Sequence, residues 1–127
     1  MLIDDNTIDV FFNVRAIKKF DTSIIITEKR SVADALGYLE KLAVTEFPDV
    51  IFLDIAMPGY SGCDFLESYN KLYANQKTII TILTASHDPL DIACAEALQL
   101  PYKNKPLKVS MLNEIVDSQN GYASSMV

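Results

Sequence analysis

The chain has 127 residues, half of them hydrophobic and 22% charged, which is enough apolar material for one globular domain with its own core. Its net charge of −6 excludes a nucleic-acid surface, because phosphate binding needs clustered lysines and arginines. No apolar run approaches the roughly 20 residues of a membrane helix, and the acidic start MLIDDN lacks the basic and apolar regions of a signal peptide.

In chain order, Met1 to Ile3 reads as a strand stub ending in the acid pair Asp4-Asp5. It is shorter than the usual strand of about 5–6 residues, so the natural chain is expected to begin earlier. Thr7 to Phe20 reads as a helix capped by Asn6. Ile8, Phe12, Ala16 and Phe20 recur every fourth residue, with Val10, Val14 and Ile17 beside them. Ser23 to Thr27 is a second buried strand. Ser31 then caps a helix carrying Val32, Ala35, Leu36, Leu39 and Leu42, with an unexplained Gly37 inside it. Pro48-Asp49 is a turn, and Val50 to Leu53 is a short apolar run of β-formers that reads as a strand buried on both faces. It stops at Asp54. Pro58, Gly59, Ser61 and Gly62 make a loop too rich in breakers for helix, and an amphipathic helix resumes near Cys63 and runs to about Tyr73.

Thr78 to Leu83 is a fourth strand, followed by Thr84-Ala85-Ser86. Asp88-Pro89 starts a helix with a cap and a proline at its first position, with Ile92, Ala93, Ala97 and Leu98 facing inward. A weak fifth strand, Tyr102 to Asn104, leads to Lys105-Pro106. A last helix carries Leu107, Met111, Leu112, Ile115 and Val116. Residues 1–120 form the domain and 121–127 a frayed tail. Cys63 and Cys94 fit no metal spacing and no disulfide framework. Cys94 reads as core, and a reducing cytoplasm is the expected compartment.

Strand and helix alternate five times with short loops, which specifies an α/β fold, a doubly wound parallel sheet. In such a sheet the strand C-termini open on one edge, where ligands bind. That edge collects Asp4 and Asp5, Asp54, Thr84 and Lys105. Packed carboxylates repel one another and suit a hard cation such as Mg²⁺. The ammonium and the hydroxyl suit an anion. The set is built to hold a phosphoryl group on Asp54, attached by attack of the carboxylate on phosphorus. Each member also has a plainer reading: a helix-capping acid pair, a serine/threonine turn and a solvated lysine.

The sequence resembles the response-regulator receiver family through the acid pair Asp4-Asp5, the LDIAMPGYSG block from Leu53 to Gly62, LTAS from Leu83 to Ser86 and KPL from Lys105 to Leu107. The resemblance implies a flavodoxin-like (βα)5 fold with strand order 2-1-3-4-5. It implies that Asp54 accepts phosphate from a sensor histidine kinase or a phosphotransfer histidine protein. It implies Mg²⁺ (or Mn²⁺) on Asp5, Asp54 and the Ala56 carbonyl, with Asp4 acting partly through water. Thr84 and Tyr102 would be switch residues, and Lys105 would pair with the phosphate. Ala56 and Ser86 occupy the positions that flank the hydrolytic water, where they offer little to orient it and so favour a long-lived phosphoryl group. The resemblance admits a phosphorylation-dependent dimer, leaves the output target open, and involves neither nucleic acid nor membrane. The stretch from Leu98 to Pro101 and Lys103 depart from the family pattern before the fifth strand.

Two other readings compete. A haloacid-dehalogenase-like aspartyl-phosphate hydrolase would need a second acid two residues after Asp54, where Ala56 stands. A degenerate receiver acting only as a docking module is opposed by the intact acids and Lys105. Kinase or GTPase chemistry lacks a glycine-rich phosphate loop, and His87 reads as a solvated loop residue.

Overall fold

The computed structural model describes residues 1–57, 62–73, 76–85 and 88–125, with side chains as far as residue 117. Its strands are β1 (Leu2–Ile3), β2 (Glu28–Lys29), β3 (Val50–Leu53), β4 (Ile79–Thr84) and β5 (Tyr102–Asn104). They alternate with helices α1 (Thr7–Phe20), α2 (Val32–Glu40), α3 (Gly62–Tyr73), α4 (Pro89–Ala97) and α5 (Val109–Ser125), and a short 3₁₀ turn covers Val44–Glu46. The strands form one sheet in the order β2-β1-β3-β4-β5. Every pairing is parallel.

Side chains on a strand alternate between faces, and here the alternation sorts the core into two layers. Ile3, Ile51, Leu53, Ile80 and Ile82 pack with Ala35 and Leu39 of α2, Phe65 and Leu66 of α3, and Ala95 of α4. Leu2, Phe52 and Leu83 pack on the other face with Val10 and Ile17 of α1 and Leu112 of α5. The central strands are therefore buried on both sides, as their unbroken apolar runs require. The caps are local. Asn6 Oδ1 accepts from the Ile8 and Asp9 N–H groups at 3.0 and 3.1 Å, Ser31 Oγ from Asp34 N at 3.0 Å, and Asp88 Oδ1 from Leu90 N at 2.9 Å.

Several local expectations are corrected. The inward face of α1 is Val10, Asn13 and Ile17, while Ile8 and Phe12 are 67% and 52% exposed. Asn13 is not wasted there, because its Oδ1 accepts from the Leu107 N–H at 3.3 Å. The second strand is not Ser23 to Thr27 but Glu28–Lys29, and Ile25 is 89% exposed. In α4 only Ala95 is buried; Ala93, Ala97 and Leu98 face out. The backbone of α5 continues through Gly121 to Ser125, where the sequence suggests a frayed tail. The expectation of unpaired thiols also fails: Cys63 of α3 and Cys94 of α4 form a disulfide across Cα atoms 6.3 Å apart. Spacing alone does not report this pairing, because the fold, not the sequence, brings α3 beside α4.

Lys103 sits acceptably in β5 because that strand is an edge: its Nζ donates to Glu114 Oε2 of α5 at 2.9 Å. At the opposite end of the sheet the Met1 ammonium donates to Val50 O at 2.8 Å. Burial lowers its pKa from 8.0 to about 6, against the opposing pull of Asp49.

Candidate functional site

Strand register assembles the site. Ile3 pairs with Leu53, and Leu53 with Ile82. Asp4 and Asp54 therefore leave neighbouring strands at the same level, and Asp54 N donates to Ile3 O at 2.9 Å. Thr84 pairs with Asn104, so Lys105 is the next residue out, and its N–H donates to Thr84 O at 3.0 Å. Asp5 lies beyond Asp4 at the exposed rim.

Asp54 is buried, and both carboxylate oxygens are engaged. Oδ1 accepts from the Thr84 hydroxyl at 2.7 Å and from the Ala56 N–H at 3.1 Å. Oδ2 accepts from Lys105 Nζ at 2.9 Å. Burial holds the Asp4 carboxyl above its usual range, opposed by Lys105 and by the Asn6 N–H, which donates to Asp4 Oδ1 at 2.9 Å. Lys105 reaches Asp4 Oδ2 at 2.7 Å as well. Burial works to lower the Lys105 pKa, and the carboxylates of Asp4, Asp9 and Asp54 together outweigh it and hold the ammonium above its ordinary value. The lysine is thus a fixed positive charge at working pH.

One oxygen from each of Asp4, Asp5 and Asp54 lies within 4.8 Å of the others. An all-oxygen, anionic set of this kind fits a hard divalent ion. Ala56 is exposed and directs its N–H at Asp54, with no polar atom on its side chain. Tyr102 is half-buried on β5, and burial raises its phenol pKa, with smaller contributions from Asp91 and Asp54. The expected members Asp4, Asp5, Asp54, Thr84 and Lys105 do converge. Ser86 and His87, and the loop residues Pro58 to Ser61, fall outside the described residues.

One participant escaped the sequence reading. Asp9, in the first turn of α1, places Oδ2 2.8 Å from Lys105 Nζ. A signal was present: Asp9 lies in the first turn of α1, four residues after Asp5, and helix side chains tilt toward the N-terminus, here toward the acid pair.

A central carboxylate ringed by acids, a hydroxyl and an ammonium thus stands at the C-terminal edge of a 2-1-3-4-5 parallel sheet. The family model for the response regulator receiver domain matches residues 1–117, and the chain belongs to that family, as a receiver domain of two-component signalling. A two-component response regulator from Cytophaga hutchinsonii is 32% identical, with a TM-score of 0.82 over 92% of each chain. A response regulator receiver protein from Dyadobacter fermentans is 25% identical, with a TM-score of 0.78 over 92% of this chain and 93% of that one. The phosphorylated cyanobacterial phytochrome response regulator RcpA shares the fold at 22% identity, with a TM-score of 0.71 over 99% of this chain and 93% of its own. No curated protein matches. Among the described residues no helix is long and apolar enough to cross a membrane.

Proposed function

We propose that residues 1–120 act as a phosphorylation-switched module in which Asp54 accepts a phosphoryl group from a histidine of a sensor kinase or phosphotransfer protein. The observation that carries this is the state of Asp54: buried at a strand tip, bonded to Thr84 and Lys105, and within 4.8 Å of two further acids. A carboxylate oxygen of Asp54 forms the new P–O bond as the donor's P–N bond breaks and the imidazole nitrogen keeps the electron pair. Lys105 offsets the charge that the phosphoryl oxygens bring, and it does so as a cation without giving up a proton. Mg²⁺ or Mn²⁺, held by Asp4, Asp5, Asp54 and the Ala56 carbonyl, would add charge neutralisation when bound.

The hydroxyl of Thr84 now donates to Asp54 Oδ1. Phosphorylating Asp54 to an acyl phosphate moves the negative charge outward, and the hydroxyl follows it by donating to a phosphoryl oxygen instead. Tyr102, half-buried on the neighbouring strand, is the second switch residue. Any such change shifts an equilibrium only through contacts that differ between the two states. Ala56 and Ser86 supply no carboxylate or amide to orient a hydrolytic water, so the phosphoryl group is long-lived. A protein donor suits the rim, where Ile8, Phe11 and Phe12 of α1 form an exposed apolar patch a turn or two from the acid pair. The reading places the domain in the cytoplasm, where a kinase is charged by ATP, with a phosphorylation-dependent dimer as one form of output and no nucleic-acid contact by this acidic surface.

The test is intact mass after incubation with Mg²⁺ and acetyl phosphate. The wild type gains one phosphoryl mass and Asp54→Asn gains none. A gain of equal size in the variant removes Asp54 from the assignment.

A further inference from the structure

Lys105 is the meeting point of more carboxylates than the phosphoacceptor chemistry uses. An ammonium has three N–H bonds; Nζ donates to Asp9 Oδ2 at 2.8 Å and Asp54 Oδ2 at 2.9 Å and is ion-paired with Asp4 Oδ2 at 2.7 Å. Asp4 and Asp54 also belong to the trio that fits a cation; Asp9 does not. The two kinds of acceptor differ in support as well. Asp4 and Asp54 are buried residues at strand ends, while Asp9 stands on α1 with its side chain 34% exposed.

A divalent ion among Asp4, Asp5 and Asp54 competes with the ammonium for two of its three acceptors, and a phosphoryl group on Asp54 competes again. Asp9 is the acceptor that this competition leaves in place. Without it, a charged group on a flexible four-carbon stem would be released toward water. We propose that Asp9 is a positioning residue that holds the Lys105 ammonium at the mouth of the site while the metal and the phosphoryl group occupy the other carboxylates. The freed N–H bonds then point at the phosphoryl oxygens. Asp9 touches no reacting atom; it acts through Lys105. The inference rests on the reading of Asp54 as phosphoacceptor.

The experiment measures the rate of Asp54 phosphorylation by acetyl phosphate at saturating Mg²⁺ in wild type, Asp9→Ala, Asp9→Asn, Lys105→Gln and Asp9→Ala/Lys105→Gln. Losing a charge-assisted anchor slows Asp9→Ala roughly tenfold in limiting rate. Asp9→Asn keeps an acceptor oxygen and recovers most of that loss. In the Lys105→Gln background Asp9→Ala has no further effect. Rates within twofold of wild type in Asp9→Ala, or an equal slowing in both backgrounds, overturn the proposal, since the second outcome assigns Asp9 a role in field or fold alone. A wild type that takes no phosphoryl group overturns the Asp54 reading first and this inference with it. A second readout does not depend on Lys105 variants folding. With Mg²⁺ bound, the Lys105 ammonium gives an ordered NMR signal in wild type and loses it in Asp9→Ala. An unchanged signal in that variant also overturns the proposal.

Discussion

Gly62 opens α3, and its N–H donates to Ile55 O at 3.1 Å. A Cβ at this position would stand 2.6 Å from Ile55 Cα, 3.0 Å from Asp54 O and 3.1 Å from Ile55 Cγ1. Carbon pairs are comfortable at about 3.5–4.0 Å, so Gly62→Ala drives a methyl about 1 Å into backbone that has no rotamer to escape with. Either α3 or the Asp54–Ile55 backbone must move. Overpacking of this kind costs about 1–3 kcal/mol, and the better helix propensity of alanine returns up to about 1. The expected net loss is about 1–2 kcal/mol. Gly37 is the control: it lies inside α2 with nothing within 4 Å of its would-be Cβ. Gly37→Ala should therefore gain about 0.5–1 kcal/mol by restricting the unfolded chain and raising helix propensity. Urea unfolding read by circular dichroism separates the two variants at unchanged m-value. A Gly62→Ala variant as stable as wild type, or a Gly37→Ala variant less stable, would refute the close-approach argument.

Three further outcomes are expected. Millimolar Mg²⁺ should raise the melting temperature, because a cation held by Asp4, Asp5 and Asp54 would bind the folded state alone, with about 2.7 kcal/mol gained at a hundredfold excess over Kd; the same shift in Asp5→Ala would count against the site. Reducing the Cys63–Cys94 bond, which spans 31 residues, should lower stability by about 3–4 kcal/mol on the chain-entropy estimate, and melts with and without reductant that superimpose would exclude this. The Met1 amine keeps its proton up to pH 8.0 when unfolded but only to about 6 when folded. Between those values the unfolded state binds more protons, so stability should rise with pH by roughly 2–3 kcal/mol, and equal urea midpoints at pH 6 and pH 8 would contradict it.

What could be read from the sequence followed from how local the signal was. Val50 to Leu53 is a strand with an acid, Asp54, just past its end, and both the strand and its acidic tip are stated by consecutive residues. Asn6, Ser31 and Asp88 cap where their types indicate. The α1 face was misread for a geometric reason. A step of four residues drifts about 40° around a helix with 3.6 residues per turn, so the row does not keep to one face: Ile8 and Phe12 are exposed while Ala16 and Phe20 pack against the core. The true inward stripe is interrupted by Asn13, whose partner Leu107 is distant in sequence. The apolar run Ile24-Ile25-Ile26 suggests the second strand, yet the edge pairing falls on Glu28 and Lys29. The spacing of Asp9 from the acid pair is local, but its partner Lys105, like the pairing of Cys63 with Cys94, depends on which elements the fold sets side by side.

The disulfide between Cys63 and Cys94 closes a covalent ring that contains α3, β4 and most of α4. Thr84 lies within that ring; Asp54, Asp9 and Lys105 lie outside it. The ends of the ring cannot separate, so α4 cannot travel away from α3 as an independent lever. A displacement of α4 relative to the sheet is therefore shared with α3 as one body. In its oxidised form the domain thus has fewer mechanical degrees of freedom on the α3–α4 side than on the face formed by α1 and α5.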